Sequence, residues 1–456
     1  MTNSLENALN QLDSGLDGRL IRPGDADYDA ARALMYGGME FWPGAIVRVK
    51  SAADVSRTVA VAAQTGVELA VRSGGHSSAG HSSTNGGIVI DLRDMKAIEI
   101  DESGKTVWAE TGVTAIELTN AVTAKNLVVG FGDAGTVGIG GITLGGGVGY
   151  LSRKHGLTID SLLAAEIVTA DGTPRTVDAT HEPDLFWAIR GGGGNFGVAA
   201  RFKYRLSDLP AFTGGMICLP ATAETIAGFV AAANAAPDEL STIANVMPAP
   251  PMPFLPAEVH GKLVILGMIA YAGEDAAAQQ AIAPFRKLAT PYADFIKAGP
   301  YTSMYPPEDP DYHPTAVART LFMNRIGTTE GQQIVDTLMA SDAAMRVTQI
   351  RVLGGAISRV APDATAYAHR TAPIMVNVAA FYTTPEDRLK QDKWVADYAA
   401  ALRQEEKGAY VNFLADEPAR IREAYPDAVW SKLQQVKATY DPRNVFNRNQ
   451  NIVPAT

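Results

Sequence analysis

The residue in the clearest chemical setting is His76. It stands in Val71-Arg72-Ser73-Gly74-Gly75-His76-Ser77-Ser78-Ala79-Gly80, where an imidazole is presented on a turn built largely of small residues. Backbone N–H groups converge in such a turn and make a concave site for an anion, a pyrophosphate among them. A second glycine-dense segment runs from Gly130 to Gly149 and a third from Gly191 to Gly197, so backbone can approach a ligand closely at three places. The third contains Gly192-Gly193-Gly194-Asn195-Phe196-Gly197, which satisfies the dinucleotide spacing G-x-G-x-x-G. That spacing works only after a strand and before a helix, whose N-terminus meets the pyrophosphate. Here a helical pattern precedes and an alternating strand follows, which excludes that site. G-x-S-x-G, G-x-x-x-x-G-K-[ST] and H-E-x-x-H are absent, removing the commonest signatures of serine hydrolases, phosphate-loop NTPases and zinc proteases. His81 is isolated in glycine and serine like His76, while His155, His181, His260 and His313 read as structural or solvated. No metal site is expected.

The elements that must position these loops follow from periodicity. After an N-terminal helix, Ala45 to Val49 reads as a strand, Ser51 to Gln64 as a helix and Leu69 to Arg72 as a strand leading into the His76 loop. Ile88 to Leu92, Ile98 to Asp101 and Val107 to Glu110 read as further strands. Thr114 to Asn126 reads as a helix opening onto the second glycine segment. Leu163 to Thr169 and Arg175 to Val177 form a hairpin around Asp171-Gly172, and a helix follows at Pro183 to Ile189. Val198 to Leu206 alternates, with Ala200, Phe202, Tyr204 and Leu206 on one face and Arg201, Lys203 and Arg205 on the other. Beyond about Pro210 the glycine clusters stop. Alanine-rich helices and short strands take over, with a Pro/Tyr-rich loop at Pro300 to Pro314. The last residues hold a strand at Tyr410 to Leu414, a helix from Pro418 to Thr439 and an Asn- and Arg-rich tail, Tyr440 to Val453.

Composition narrows the class. The 456 residues allow two domains, and 46% apolar with 19% charged residues is globular. A net charge of -10 argues against nucleic acid, which needs clustered Lys and Arg. The single cysteine, Cys218, forms no intrachain disulfide and reads as a buried, inert thiol. Met1 to Leu20 lacks the apolar run of an export signal, and no apolar stretch reaches the ~20 residues that span a bilayer. A cytoplasmic protein with a small-molecule substrate and no membrane association is expected; oligomeric state is left open.

The His76 segment resembles the pyrophosphate loop of the FAD-linked oxidases of the berberine bridge enzyme-like family, within the vanillyl-alcohol oxidase or PCMH-type FAD-binding superfamily, where R-S-G-G-H supplies the flavin-linking histidine. The resemblance continues through Gly87 to Leu92, Gly138 to Gly149, Arg153 to Asp160, Gly354-Gly355-Ala356, Ala368-His369-Arg370 and Tyr440 to Phe446, in family order across nearly the whole chain. It implies an α+β fold: a two-part PCMH-type FAD-binding domain at 1–210 and 425–456, with a substrate domain inserted at 211–424 as an antiparallel sheet flanked by helices.

The resemblance also implies the site. FAD is expected with a single covalent link through His76, because the position of the family's linking cysteine is Ala134. Arg72, Ser73, Gly74, Gly75, Ser77, Gly80, Gly138, Gly141, Thr143, Gly145, Gly146, Gly149, Val168, Asn412, Asn449 and Gln450 are the implied cofactor residues. Val137 corresponds to a small gate that admits O2 to the flavin, which favours an oxidase. Where plant relatives place aromatic residues stand Ser78 and Val148, and Val376 and Val378 replace charged or amide groups, so Val148, Val376 and Val378 are the implied substrate pocket. Tyr410, in the family's Y-x-N-[FY] strand, is the candidate base. Tyrosine titrates near 10, so serving at neutral pH asks for about 3–4 kcal/mol of phenolate stabilisation. The activity implied is hydride transfer from an alcohol or amine to flavin and then to O2, giving H2O2. A dehydrogenase with another acceptor and a non-catalytic flavin or natural-product binder are the alternatives, and an alcohol, a sugar hydroxyl, a cyclic amine and a polyketide all remain open as substrates.

Overall fold

The computed structural model describes residues 3–456 apart from 308, 310 and 406. Met1 and Thr2 at the start of the chain, and Glu308 and Pro310 of the expected Pro300 to Pro314 loop, lie outside the described residues.

The first sheet runs Arg19–Ile21, Ala45–Arg48, Ile88–Asp91, Leu69–Arg72 in space, the last three parallel. Strands that run parallel in one sheet need a crossover, and helix Ala52–Thr65 carries the chain from Ala45–Arg48 to Leu69–Arg72 on the far side of Ile88–Asp91. Ser51 caps that helix by accepting from the Asp54 N–H, and Gly66 ends it at φ 70°. The crossover delivers Arg72 to the edge of the His76 loop.

A second, antiparallel sheet orders Ile98–Asp101, Thr106–Glu110, Val198–Arg205, Leu162–Val168, Pro174–Asp178. In Val198–Arg205 the even-numbered residues are buried and Arg201, Lys203 and Arg205 face outward, because the alternating pattern suits a strand with one apolar face. Helix Ala115–Thr123 begins in a capping box between Thr114 and Glu117. The glycine run 138–147 then folds as the short helix Ile139–Leu144 and a loop.

Residues 213–381 build an eight-stranded antiparallel sheet whose centre is Leu240–Pro248, Arg346–Val352, Ile374–Phe381 and, at the edge, Ala316–Met323. Helices Ala223–Ala235, Thr328–Ala340 and Pro385–Leu402 cover one face, packing Phe229, Ile334, Leu338, Val395 and Tyr398 against Ile350, Val376 and Val378. The opposite face is turned toward the glycine loops. Helix Asp427–Tyr440 then returns the chain to the first half, where Leu433 and Val436 join the core of the second sheet.

Two local expectations are corrected. Tyr410 to Leu414 is not a strand but a single 3-10 turn, Val411–Phe413, in which the Phe413 N–H bonds to the Tyr410 carbonyl at 2.9 Å; alternation in five residues cannot make a strand without a neighbour to pair with. The helix expected from Pro418 to Thr439 is broken into Pro418–Arg420, Ile421–Ala424 and Asp427–Tyr440. Pro426 pushes Tyr425 to φ -127°, ψ 93°, outside the helical region.

Candidate active site

The glycine loops, the C-terminal tail and the open face of the large sheet enclose a cavity of about 1230 Å³. That exceeds the ~300–1,000 Å³ of common single-ligand pockets and suits a large cofactor together with a substrate.

On the cofactor side, the His76 loop is pressed onto the start of helix Ile139–Leu144. A Cβ on Gly74 would lie 2.3 Å from the Gly138 nitrogen, and one on Gly138 would lie 2.2 Å from the Gly74 nitrogen, so only two glycines allow these backbones to touch. Ser73 Oγ fixes the contact by donating to the Thr111 carbonyl and accepting from the Gly140 N–H at 3.2 Å. His76 lines the cavity with its Nε2 3.0 Å from Thr136 Oγ1. Backbone at Gly141 and Gly194 is open, with no atom within 4 Å of where a Cβ would be. Bare peptide edges around one imidazole are the cradle that a dinucleotide with a pyrophosphate requires, and the residues present fit FAD.

Beneath the loop lies a buried charge cluster. Asp91, fully buried, pairs with Arg93 at 2.7 Å and Arg48 at 3.3 Å, with Arg72 at 4.0 Å. Burial pushes the Asp91 carboxyl up, but Arg93, Arg72 and Arg48 outweigh it and hold the group below the usual carboxylate range. Burial also lowers Arg72, to about 10. Arg72 donates to the carbonyls of Ala31 and Ser82. It braces the loop from below and does not reach the cavity.

The remaining expected residues divide. Ser73, Gly74, Gly75, His76, Ser77, Val137, Gly138, Gly141, Asn412, Asn449, Gln450, Val148 and Tyr410 line the cavity. Gly80, Thr143, Gly145, Gly146, Gly149 and Val168 are not among its lining residues. Thr143 is buried and shares a hydrogen bond with Tyr204 Oη at 2.8 Å; Gly145, Gly146 and Gly149 give room to Asn412, Tyr367 and the Phe131 carbonyl, and Gly80 to Phe41. Val168 belongs to the core beside helix Ala52–Thr65. The expected pocket valines Val376 and Val378 lie on the wrong face. They are packed under the helices, and Asn377, Ala379 and Phe381 of the same strand line the cavity instead.

The sequence reading also missed contributors. Gly193, Gly194 and Gly197 of the rejected fingerprint line the cavity, as do Gln349 and Arg351. Glycine density pointed to the first three; nothing local pointed to the other two. His81 lines it too, held neutral by burial and by Arg448, which bring it to about 4.

Tyr410, 2% exposed, stands where these walls meet. Its hydroxyl oxygen accepts from the N–H groups of Gly147 at 2.9 Å and Val148 at 3.3 Å, and from Asn412 Nδ2 at 2.9 Å. Asn412 Nδ2 also donates to the Ile142 carbonyl at 3.0 Å, which fixes the amide orientation. Burial pushes the phenol up, whereas Asn412, the two N–H groups and Arg351 pull it down; burial prevails.

Comparison with known proteins identifies related chains. A model of the FAD binding domain matches residues 43–178, and one described as berberine and berberine like matches residues 409–453. The chain is 28% identical over 452 residues to the (R)-6-hydroxynicotine oxidase of Paenarthrobacter nicotinovorans, covering 96% of this chain and 97% of that protein. It is 28% identical over 455 residues to the chitooligosaccharide oxidase of Gibberella zeae, covering 91% and 88%. The crystal structure of 6-hydroxy-D-nicotine oxidase from Arthrobacter nicotinovorans superposes with a TM-score of 0.86 at 27% identity, covering 97% of this chain and 99% of that one.

Proposed function

This chain belongs to the FAD-linked oxidoreductases of the berberine bridge enzyme-like family, and from that premise we propose that it is an oxidase of a small-molecule alcohol or amine, with its flavin attached only through His76 and H2O2 as the second product. When bound, the flavin supplies the hydride acceptor and returns the electrons to O2. The chain supplies alignment and charge. Ser73, Gly74, Gly75 and Ser77 would hold the cofactor's phosphates through their backbone, and His76 on the same loop would carry the link to the ring. Asn449 and Gln450 of the tail line the same cavity and would contact the cofactor, and Val137 would leave an approach for O2.

Support for the catalytic assignment comes from one observation: the Tyr410 oxygen receives three N–H donors and lies on the same cavity as His76. A phenolate has lone pairs for three such donors, while a neutral phenol accepts two with ease. Those three donors stabilise the phenolate form of Tyr410, which takes the proton leaving the substrate hydroxyl or amine and becomes the neutral phenol. Because burial still holds the phenol high, the phenolate fraction, and with it the rate, rises with pH through the neutral range.

The test begins with flavin fluorescence of a denatured gel band. A fluorescent band that disappears in His76→Ala supports the link; a dark band from yellow native protein refutes it. Mixing chemically reduced enzyme with air then separates oxidase from dehydrogenase, since an oxidase reoxidises in the dead time or within seconds and a dehydrogenase stays reduced.

A further inference from the structure

Resting on that reading, we infer that the substrate is a neutral ring compound with one or two hydrogen-bonding substituents, and neither a saccharide nor a charged acid. Cross-strand partners share a face, and the register aligns Ala318, Ala379 and Val347 in one row lining the cavity. This row is apolar, and Phe381 with its cross-strand partner Ala316 extends it.

The next row, Thr320, Asn377, Gln349 and Asn245, is polar, yet most of its capacity is already used. Gln349 donates from Nε2 to Asn245 Oδ1 at 3.0 Å, and its Oε1 accepts from Arg351 Nη2 at 2.7 Å and Nε at 3.1 Å. Arg351 is itself neutralised by Asp133 at 2.7 Å. Its side chain is 4% exposed and lies with its guanidinium carbon 5.2 Å from the Phe413 ring centroid. Nearer the mouth, Arg319 is paired with both Asp392 at 3.0 Å and Glu417 at 2.6 Å. Asn412 spends Nδ2 on Ile142 and Tyr410.

Among the described residues, what these rows still offer a ligand is the Tyr410 hydroxyl, the Asn377 amide and the buried Thr320 hydroxyl beside it, Asn377 Oδ1 and Thr320 Oγ1 having no partner. A saccharide brings many hydroxyls that would be desolvated here without partners, and each is costly. A carboxylate would have to break the Arg351–Asp133 pair and leave a buried charge alone. A ring with one or two hydrogen-bonding substituents fits both the apolar row and these few polar points.

The test is binding and needs no turnover, so it fails or succeeds independently of the oxidase assignment. Flavin-loaded enzyme is titrated without oxygen with benzyl alcohol, cyclohexanol, benzoate, cellobiose and chitobiose, following the visible flavin band. Expected is a shift for at least one neutral ring probe with a Kd at least tenfold below those of benzoate and both disaccharides. Ala379→Asp, which puts a carboxylate in the apolar row, should weaken that probe at least tenfold while the flavin spectrum is retained. Disaccharide or benzoate binding as tight as the ring probes, no shift with any ring probe, or an unchanged Kd in a flavin-loaded Ala379→Asp overturns the inference. If that variant fails to load flavin, the ranking of probes on the unmodified enzyme decides alone.

Discussion

Lys437→Met tests how the two halves of the cofactor cavity are joined. The ammonium and its partner Asp441 are both fully buried and 2.6 Å apart. The same ammonium donates to the carbonyls of Asn195 at 2.7 Å and Phe446 at 2.8 Å, so one charge joins helix Asp427–Tyr440 to the glycine cluster at 192–197 and to the tail that carries Asn449 and Gln450. Methionine keeps most of the volume but leaves Asp441 buried and unbalanced, although the N–H groups of Val445 and Phe446 still donate to it. Breaking a buried pair from one side costs about 3–5 kcal/mol, which, with an unfolding entropy of about 1 kcal/mol/K for a chain of this length, lowers Tm by roughly 3–5 °C. Thermal unfolding and the flavin-to-protein absorbance ratio after gel filtration provide the assay, and both should fall. Asp441→Asn, which keeps an acceptor for the ammonium and removes the charge, should behave similarly but more mildly. A Lys437→Met protein with Tm within 1 °C of the parent and full flavin content would refute the claim that this pair holds the cavity together.

Other expectations are equally specific. Gly138→Ala places a methyl 2.1 Å from Ser73 Oγ and 2.2 Å from the Gly74 nitrogen; the forced separation should cost about 1–3 kcal/mol and reduce flavin incorporation, read from absorbance of purified protein. Tyr410→Phe should slow flavin reduction by the true substrate about 10²–10⁴-fold and abolish the rise of that rate with pH, and an unchanged rapid-mixing trace would exclude Tyr410 from proton transfer. Asp91 has a lowered folded pKa, so the stability it confers is present above its unfolded value near 4 and is lost as pH falls through the lower folded value. Unfolding followed from pH 5 to pH 2 should therefore steepen below pH 4, and Asp91→Asn should flatten that limb. His81 and His155, both brought to about 4 chiefly by burial, act in a different window. The unfolded chain takes up their protons from about pH 6.5 downward, so stability declines between 6.5 and 4, a slope that His155→Gln should reduce in a denaturant titration series.

The sequence by itself determined the local devices. Spacing of small residues marked the His76 loop, because a concave run of N–H groups requires only neighbours in the chain. Alternation in Val198–Arg205 and the helical spacing from Thr114 are likewise short-range, and both elements appear where the pattern puts them, the helix as Ala115–Thr123. What the tertiary structure decided was which side chains face one another. Val376 and Val378 differ from Asn377 by one residue, and in a strand one residue is the difference between core and cavity; only the helices packed on one face reveal which parity is inward. Tyr410 meets Gly147, and Arg351 meets Asp133, across 263 and 218 residues of sequence. Such contacts depend on how the sheets and the returning tail are packed, and no periodicity within either segment encodes them. Arg72 shows the same limit from inside the motif: its place in the chain is beside the loop, but burial beside Asp91 turns its charge inward, away from the cavity.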